Sequence, residues 1–76
     1  GKREGESLTY YENGKLKKKI LYKNGVRNGE AIAYYENSVI EQKAYFVNGK
    51  KEKEHLYYDK NGNLTKTEIY KNDIKQ

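Results

Sequence analysis

The chain lacks cysteine, proline, methionine and tryptophan and has a single histidine. No disulfide can staple it and no thiolate can hold a metal. One histidine leaves the common zinc constellations short of ligands. No apolar run approaches the ~18 residues of a membrane-spanning helix, and no signal peptide is legible. The sequence begins at Gly1 rather than Met, so the lack of a legible signal leaves the compartment open, cytoplasmic or exported. Apolar residues are 34% of the 76 positions and charged residues 36%, a balance close to that of disordered chains. Nine tyrosines and one phenylalanine point the other way, because disordered chains are poor in aromatics. The composition describes a small folded domain with a thin core. A domain this size buries only about 60% of its unfolded surface.

Sixteen cations against eleven anions leave a net charge of +5. A basic chain suggests nucleic acid or an anionic surface. However, 14 of the 16 are Lys; only Arg3 and Arg27 carry the guanidinium fork that grips phosphate bidentately. The excess charge is read chiefly as solubility.

What the chain has in quantity is repetition. Shifted by 24 residues, it aligns with itself as GKREGESLTYYENGKLKKKILYKN, GVRNGEAIAYYENSVIEQKAYFVN and GKKEKEHLYYDKNGNLTKTEIYKN. The copies occupy 1–24, 25–48 and 49–72, and 73–76 begin a fourth copy or form a tail. Gly1/Gly25/Gly49, Glu6/Glu30/Glu54, Tyr10/Tyr34/Tyr58, Asn13/Asn37/Asn61 and Asn24/Asn48/Asn72 are identical columns. The whole of 1–76 reads as one repeat domain, expected to be part of a longer chain.

Each copy reads as a β-hairpin. Apolar residues alternate with a period of two on either side of Glu12-Asn13-Gly14, and Asn-Gly again joins the copies. The expected fold is all-β: tandem hairpins in a six-stranded antiparallel meander, one elongated, twisted sheet. A three-residue loop pairing Tyr10 with Leu16 gathers Leu8, Tyr10, Leu16, Ile20 and Tyr22 on one face. Ile32, Tyr34, Ile40, Ala44 and Phe46 follow in the second copy, and Leu56, Tyr58, Leu64 and Tyr70 in the third. That face is the expected core. Ser38, standing where the other loops have Gly, predicts a strained or altered turn. Each copy should touch only its neighbours.

The pattern G-K-x-x-G-E-x-x-x-Y-Y-x-N-G-x-L-x-x-x-x-x-Y-x-N resembles the bacterial variant of the MORN repeat, from Gly1 to Asn72. The resemblance implies tandem hairpins in an extended sheet that serves as a scaffold and recognition surface, with protein or lipid ligands. It also implies an antitoxin-type component or a surface-associated repeat protein. The chain departs from the pattern at Lys53, and at Asp59 and Lys60, so the third hairpin is expected to turn differently.

No residue set in the sequence assembles catalytic, cofactor or metal chemistry. His55 lacks a nucleophile or an orienting carboxylate and reads as a surface histidine on a strand. The Glu6/Glu30/Glu54 ladder reads as pairing with Lys on adjacent strands. Lys15 to Lys19 form the densest basic run, but the second copy does not repeat it. Opposite the expected core lie Tyr11, Tyr35, Tyr45 and Tyr57 among Lys17, Lys19 and Lys43. These seven are the candidate partner-binding residues, because Tyr is enriched at interfaces. The function read from this is a non-catalytic protein-interaction scaffold. The alternative is an electrostatic binder of anionic lipid or nucleic acid through the Lys and Tyr surface. The charge-poor first strand, Glu6 to Tyr11, marks the N-terminal sheet edge for self-association.

Overall fold

A computed structural model describes residues 4–76; Gly1, Lys2 and Arg3, and with them the first member of the Gly1 column, lie outside the described residues. The strands are β1 (Gly5–Tyr10), β2 (Leu16–Lys23), β3 (Val26–Tyr34), β4 (Ile40–Val47), β5 (Lys50–Lys51), β6 (Lys53–Tyr58), β7 (Leu64–Lys71) and β8 (Ile74–Lys75). They form one open antiparallel sheet in the order β1-β2-β3-β4-β6-β7-β8, with β5 also paired to β4. The six long strands are the expected meander. The two additional pieces are short: β5 is the start of the fifth strand, cut off at Glu52, and β8 takes the place of a fourth copy.

Turn chemistry explains the repeating columns. Within each hairpin, Tyr11 O, Tyr35 O and Asp59 O accept a hydrogen bond from the N–H of Gly14, Ser38 and Gly62. Those three residues take left-handed φ of 85°, 70° and 87°. The result is the expected three-residue loop, with Tyr10, Tyr34 and Tyr58 opposite Leu16, Ile40 and Leu64. Ser38 therefore keeps the turn and bears the strain of a left-handed non-glycine. Asn13 Oδ1 and Asn37 Oδ1 accept from the N–H two residues on. In the third copy Asp59 Oδ1 takes over, accepting from Asn61 and Asn63 at 2.9 Å each. The loop closes in the same way with a different capping side chain.

Between hairpins, Asn24-Gly25, Asn48-Gly49 and Asn72-Asp73 hold both φ values positive, as two-residue hairpin turns of the mirror-image type require. The residue at position four of each copy braces the turn: Glu4, Asn28 and Glu52 accept from the N–H of Asn24, Asn48 and Asn72.

The register slips by one residue beyond every loop: Thr9 pairs with Lys18 although Tyr10 pairs with Leu16. The same slip follows Tyr34–Ile40 and Tyr58–Leu64. One extra residue on the returning strand reverses which face its side chains take. The expected core set is thereby split. Leu8, Tyr10 and Leu16 share the upper face with Lys19 and Leu21, whereas Ile20 and Tyr22 point to the lower face with Ser7 and Thr9. In the later copies Ala44, Phe46 and Tyr70 are likewise lower, and Ile32, Tyr34, Ile40, Leu56, Tyr58 and Leu64 upper.

The core lies on the lower face. Ala44 and Phe46 are its buried apolar residues, and His55, at 1% exposure, is the most enclosed side chain among the described residues. Leu8, Tyr10 and Leu64 keep about half of their surface, at 45%, 55% and 55%. The plate measures 34 × 32 × 11 Å and exposes 5392 Å². A compact monomer of this mass exposes about 4,900 Å². The difference is that of a single layer with nothing packed behind it.

Candidate functional site

Cross-strand partners place Lys19, Lys43 and Tyr45 together on the upper face. Lys19 sits opposite Ile32, which faces Lys43, which faces Leu56. Two residues along the strands, Glu30 lies opposite Tyr45, and Glu54 opposite Ile69. Lys19 pairs with Glu6 and Lys43 with Glu30, each at 3.3 Å, the Lys role expected of the ladder for its first two members; Glu54 lies opposite Ile69 instead. In the third copy Thr67 occupies the Lys column. Lys53, left-handed at φ 62°, retains the backbone of Gly5 and Gly29 and carries its ammonium to 4.5 Å from the Tyr45 ring centre. Glu30, Lys43, Tyr45, Lys53 and Glu54 line a shallow depression of about 490 Å³ with Leu56 and Ile69. Lys19, Lys43 and Lys53 balance Glu6, Glu30 and Glu54 in the middle of this face, while Lys23, Lys50 and Lys71 at the strand ends bring its strand-borne charge to +3.

Tyr11 and Tyr35 have a different place. The Tyr11 hydroxyl donates to Tyr34 O, and the Tyr35 hydroxyl donates to Tyr58 O at 2.7 Å. Each rivets one hairpin to the next. Asp59 fills this column in the third copy, and the rivet does not recur there. Lys17 lies beside this end, 5.6 Å from the Tyr11 ring centre. Partial burial, and then Glu41 and Glu36, raise the Tyr11 hydroxyl pKa.

Tyr57 is on the lower face, paired with Lys66 and Gln42, and so is separated from Tyr45. Its hydroxyl donates to Glu68 at 2.9 Å, a bond that follows desolvation as a cause of its raised pKa. Lys75 at 2.8 Å and Lys66 at 3.4 Å also reach Glu68, whose side chain is 10% exposed. The Lys75 contact first, then the Tyr57 hydroxyl, hold the Glu68 pKa down to about 2.

His55 corrects the surface reading. Its ring lies 4.7 Å from that of Tyr70 and 5.8 Å from that of Phe46, centre to centre. Its Nε2–H donates to Tyr45 O at 3.2 Å, within a gap in the ladder between the Lys43–Leu56 and Phe46–Lys51 pairs. Tyr45 O also accepts the backbone N–H of Glu52 at 3.0 Å, so the imidazole adds a second bond where the regular ladder is interrupted. Sequence reasoning also passed over Glu68. The signal was present: it is a carboxylate in the column of Ile20 and Ala44.

Among the described residues, no three His, Asp or Glu converge as metal ligands. The candidate chemistry is that of two broad surfaces on one layer of tandem hairpins, which defines the chain as a β-hairpin repeat protein. Residues 3–24, 27–48 and 51–72 each match the family described as the MORN repeat variant, and the chain belongs to that family. MORN repeats commonly act as binding modules, generally toward proteins or membranes, and the family is generally non-enzymatic. No curated protein and no solved structure matches the chain.

Proposed function

We infer that this chain is a non-catalytic scaffold that binds another protein through its upper face. The observation that carries this reading is the exposure of large apolar side chains on a face where Lys19 and Lys43 are already paired with Glu6 and Glu30. Leu8, Tyr10, Leu64 and Ile69 are 45%, 55%, 55% and 50% exposed, and the depression beside Tyr45 lies among them. Large apolar side chains left exposed in numbers on one face mark interaction sites. Tyr45, Lys43 and Lys19 belong to this surface. Tyr11, Tyr35 and Lys17 border its loop end, and Tyr57 stands apart from it. The resemblance carries the finer reading, an antitoxin-type component whose partner is the cognate toxin.

Capture from cells, compared between the wild type and Tyr45→Lys, tests this. A protein retained at high salt by the wild type and lost with the variant supports the reading. Equal capture by both, or capture only of nucleic acid or lipid, sinks it.

One observation favours the electrostatic alternative. The lower face carries Lys18, Arg27, Lys51, Lys66 and Lys75 against Glu68 alone, a strand-borne charge of +4. Polyanion binding through it would weaken steeply with salt.

A further inference from the structure

The lower face has a ladder that the upper face lacks. Position three of the repeat is basic in every copy: Arg3, Arg27, Lys51 and, opening a fourth, Lys75. Arg3 lies outside the described residues. Arg27 stands over the Phe46 ring at 5.3 Å and Lys51 over the Tyr70 ring at 4.9 Å. Across the sheet from this row, Lys18 pairs with Ala33. Among the described residues, Lys18, Arg27 and Lys51 have no carboxylate within ion-pair distance. Lys75 and Lys66 are engaged by Glu68. Between Lys18 and the ladder runs a floor of small side chains. Ala31 and Ala44 face each other, beside Ala33, in a depression of about 120 Å³ that Ile20 and Phe46 also line.

Spacing selects the ligand. Consecutive cations of the ladder are two strands apart, roughly 10 Å. An α-helix lying across the strands presents residues i and i+7 on one side about 10.5 Å apart. An extended peptide presents same-side residues at about 7 or 14 Å and misses this period. The aromatic rings under the ladder are already covered by Arg27 and Lys51, so they offer no open platform on which bases could stack.

We propose that the lower face binds an acidic α-helix of a partner protein, laid across the strands. Carboxylates seven residues apart meet Arg27 and Lys51. An apolar side chain between them enters the Ala31–Ala44 depression, and a carboxylate on the far side meets Lys18. This site is independent of the upper-face surface.

The probe is a stapled 21-residue helix with Glu at i, i+7 and i+14 and Leu on the intervening face. Its binding is compared with that of a helix of the same composition with Glu at i, i+5 and i+10, of an oligothymidylate, and of phosphatidylserine vesicles. The heptad helix should bind at least about tenfold more tightly than the respaced one. Lys51→Glu should weaken it at least as much, and a heptad helix bearing Lys should regain affinity for that variant. Lys18→Glu touches no ring and should weaken binding with the melting temperature retained. Tyr45→Lys should leave binding unchanged. Equal binding of both helices, binding of neither at millimolar concentration, or tighter binding of the oligonucleotide or vesicles would overturn the proposal.

Discussion

Along β4, Lys43 and Tyr45 rise from one side of the sheet while Gln42, Ala44 and Phe46 descend from the other. Five consecutive residues thus build two unlike surfaces. The upper one has the larger apolar side chains and leaves many of them half exposed. The lower one has alanines, yet it encloses Phe46 and His55. In a single layer nothing arrives from outside, so burial depends on neighbours of unequal size on the same face. Phe46 is buried because His55 and Arg27 lean over it.

The sharpest way to break this contrast is to truncate adjacent residues on opposite faces. Phe46→Ala should cost about 3–5 kcal/mol, as loss of a buried aromatic does, and Tyr45→Ala about 1. Urea unfolding of the two variants measures the difference; equal losses would show that the lower face is not the core. Acid should also act on the lower face. Glu68 titrates at about 2 in the folded chain against an ordinary 4.5. Its stabilising contribution is therefore complete above about pH 4.5 and lost as the pH falls toward about 2. Glu68→Gln should flatten that limb of a melting-temperature profile.

Backbone strain sharpens the comparison from another side. Lys53→Gly relieves a left-handed non-glycine and should stabilise by about 1 kcal/mol, while removing the cation above Tyr45. A lower denaturation midpoint would mean that the Tyr45 contact outweighs the strain. Tyr35→Phe deletes a rivet and should cost about 0.5–1.5 kcal/mol. Smallest of all, Glu30→Gln breaks an exposed upper-face ion pair and should change stability by less than about 0.5 kcal/mol.

Turns and hairpins were legible because their chemistry is local. Asn13-Gly14 and Asn24-Gly25 mark where the chain turns; the Tyr10–Leu16 pairing rests on the apolar face that a three-residue loop gathers, and the structure keeps the pairing while splitting that face. Facing was not legible. The extra residue beyond each loop falls near Lys17, Glu41 and Thr65, three unlike side chains that carry no common mark, and it reverses the facing of the rest of the returning strand. Nine of the fourteen expected core residues therefore lie on the upper face and only five on the buried lower one, and Tyr57 parts from Tyr45. His55 was misjudged for a related reason: what encloses it, Phe46 and Tyr70, becomes its neighbour only once the slipped register is known. The third loop, judged from Asp59 and Lys60 to turn differently, kept its backbone because Gly62 still supplies the left-handed position and Asp59 does the capping.

Every strand touches only those beside it, and β1 and β8 lie at opposite margins of the sheet. This decides how the molecule meets mechanical force. Tension applied between Gly5 and Ile74 pulls across the strands, so the load falls on one or two hydrogen bonds at a time. The sheet should peel rather than shear. An optical trap should record low-force steps, each releasing roughly 80 Å of chain per repeat, with the tyrosine rivets at Tyr11 and Tyr35 as the points where peeling pauses.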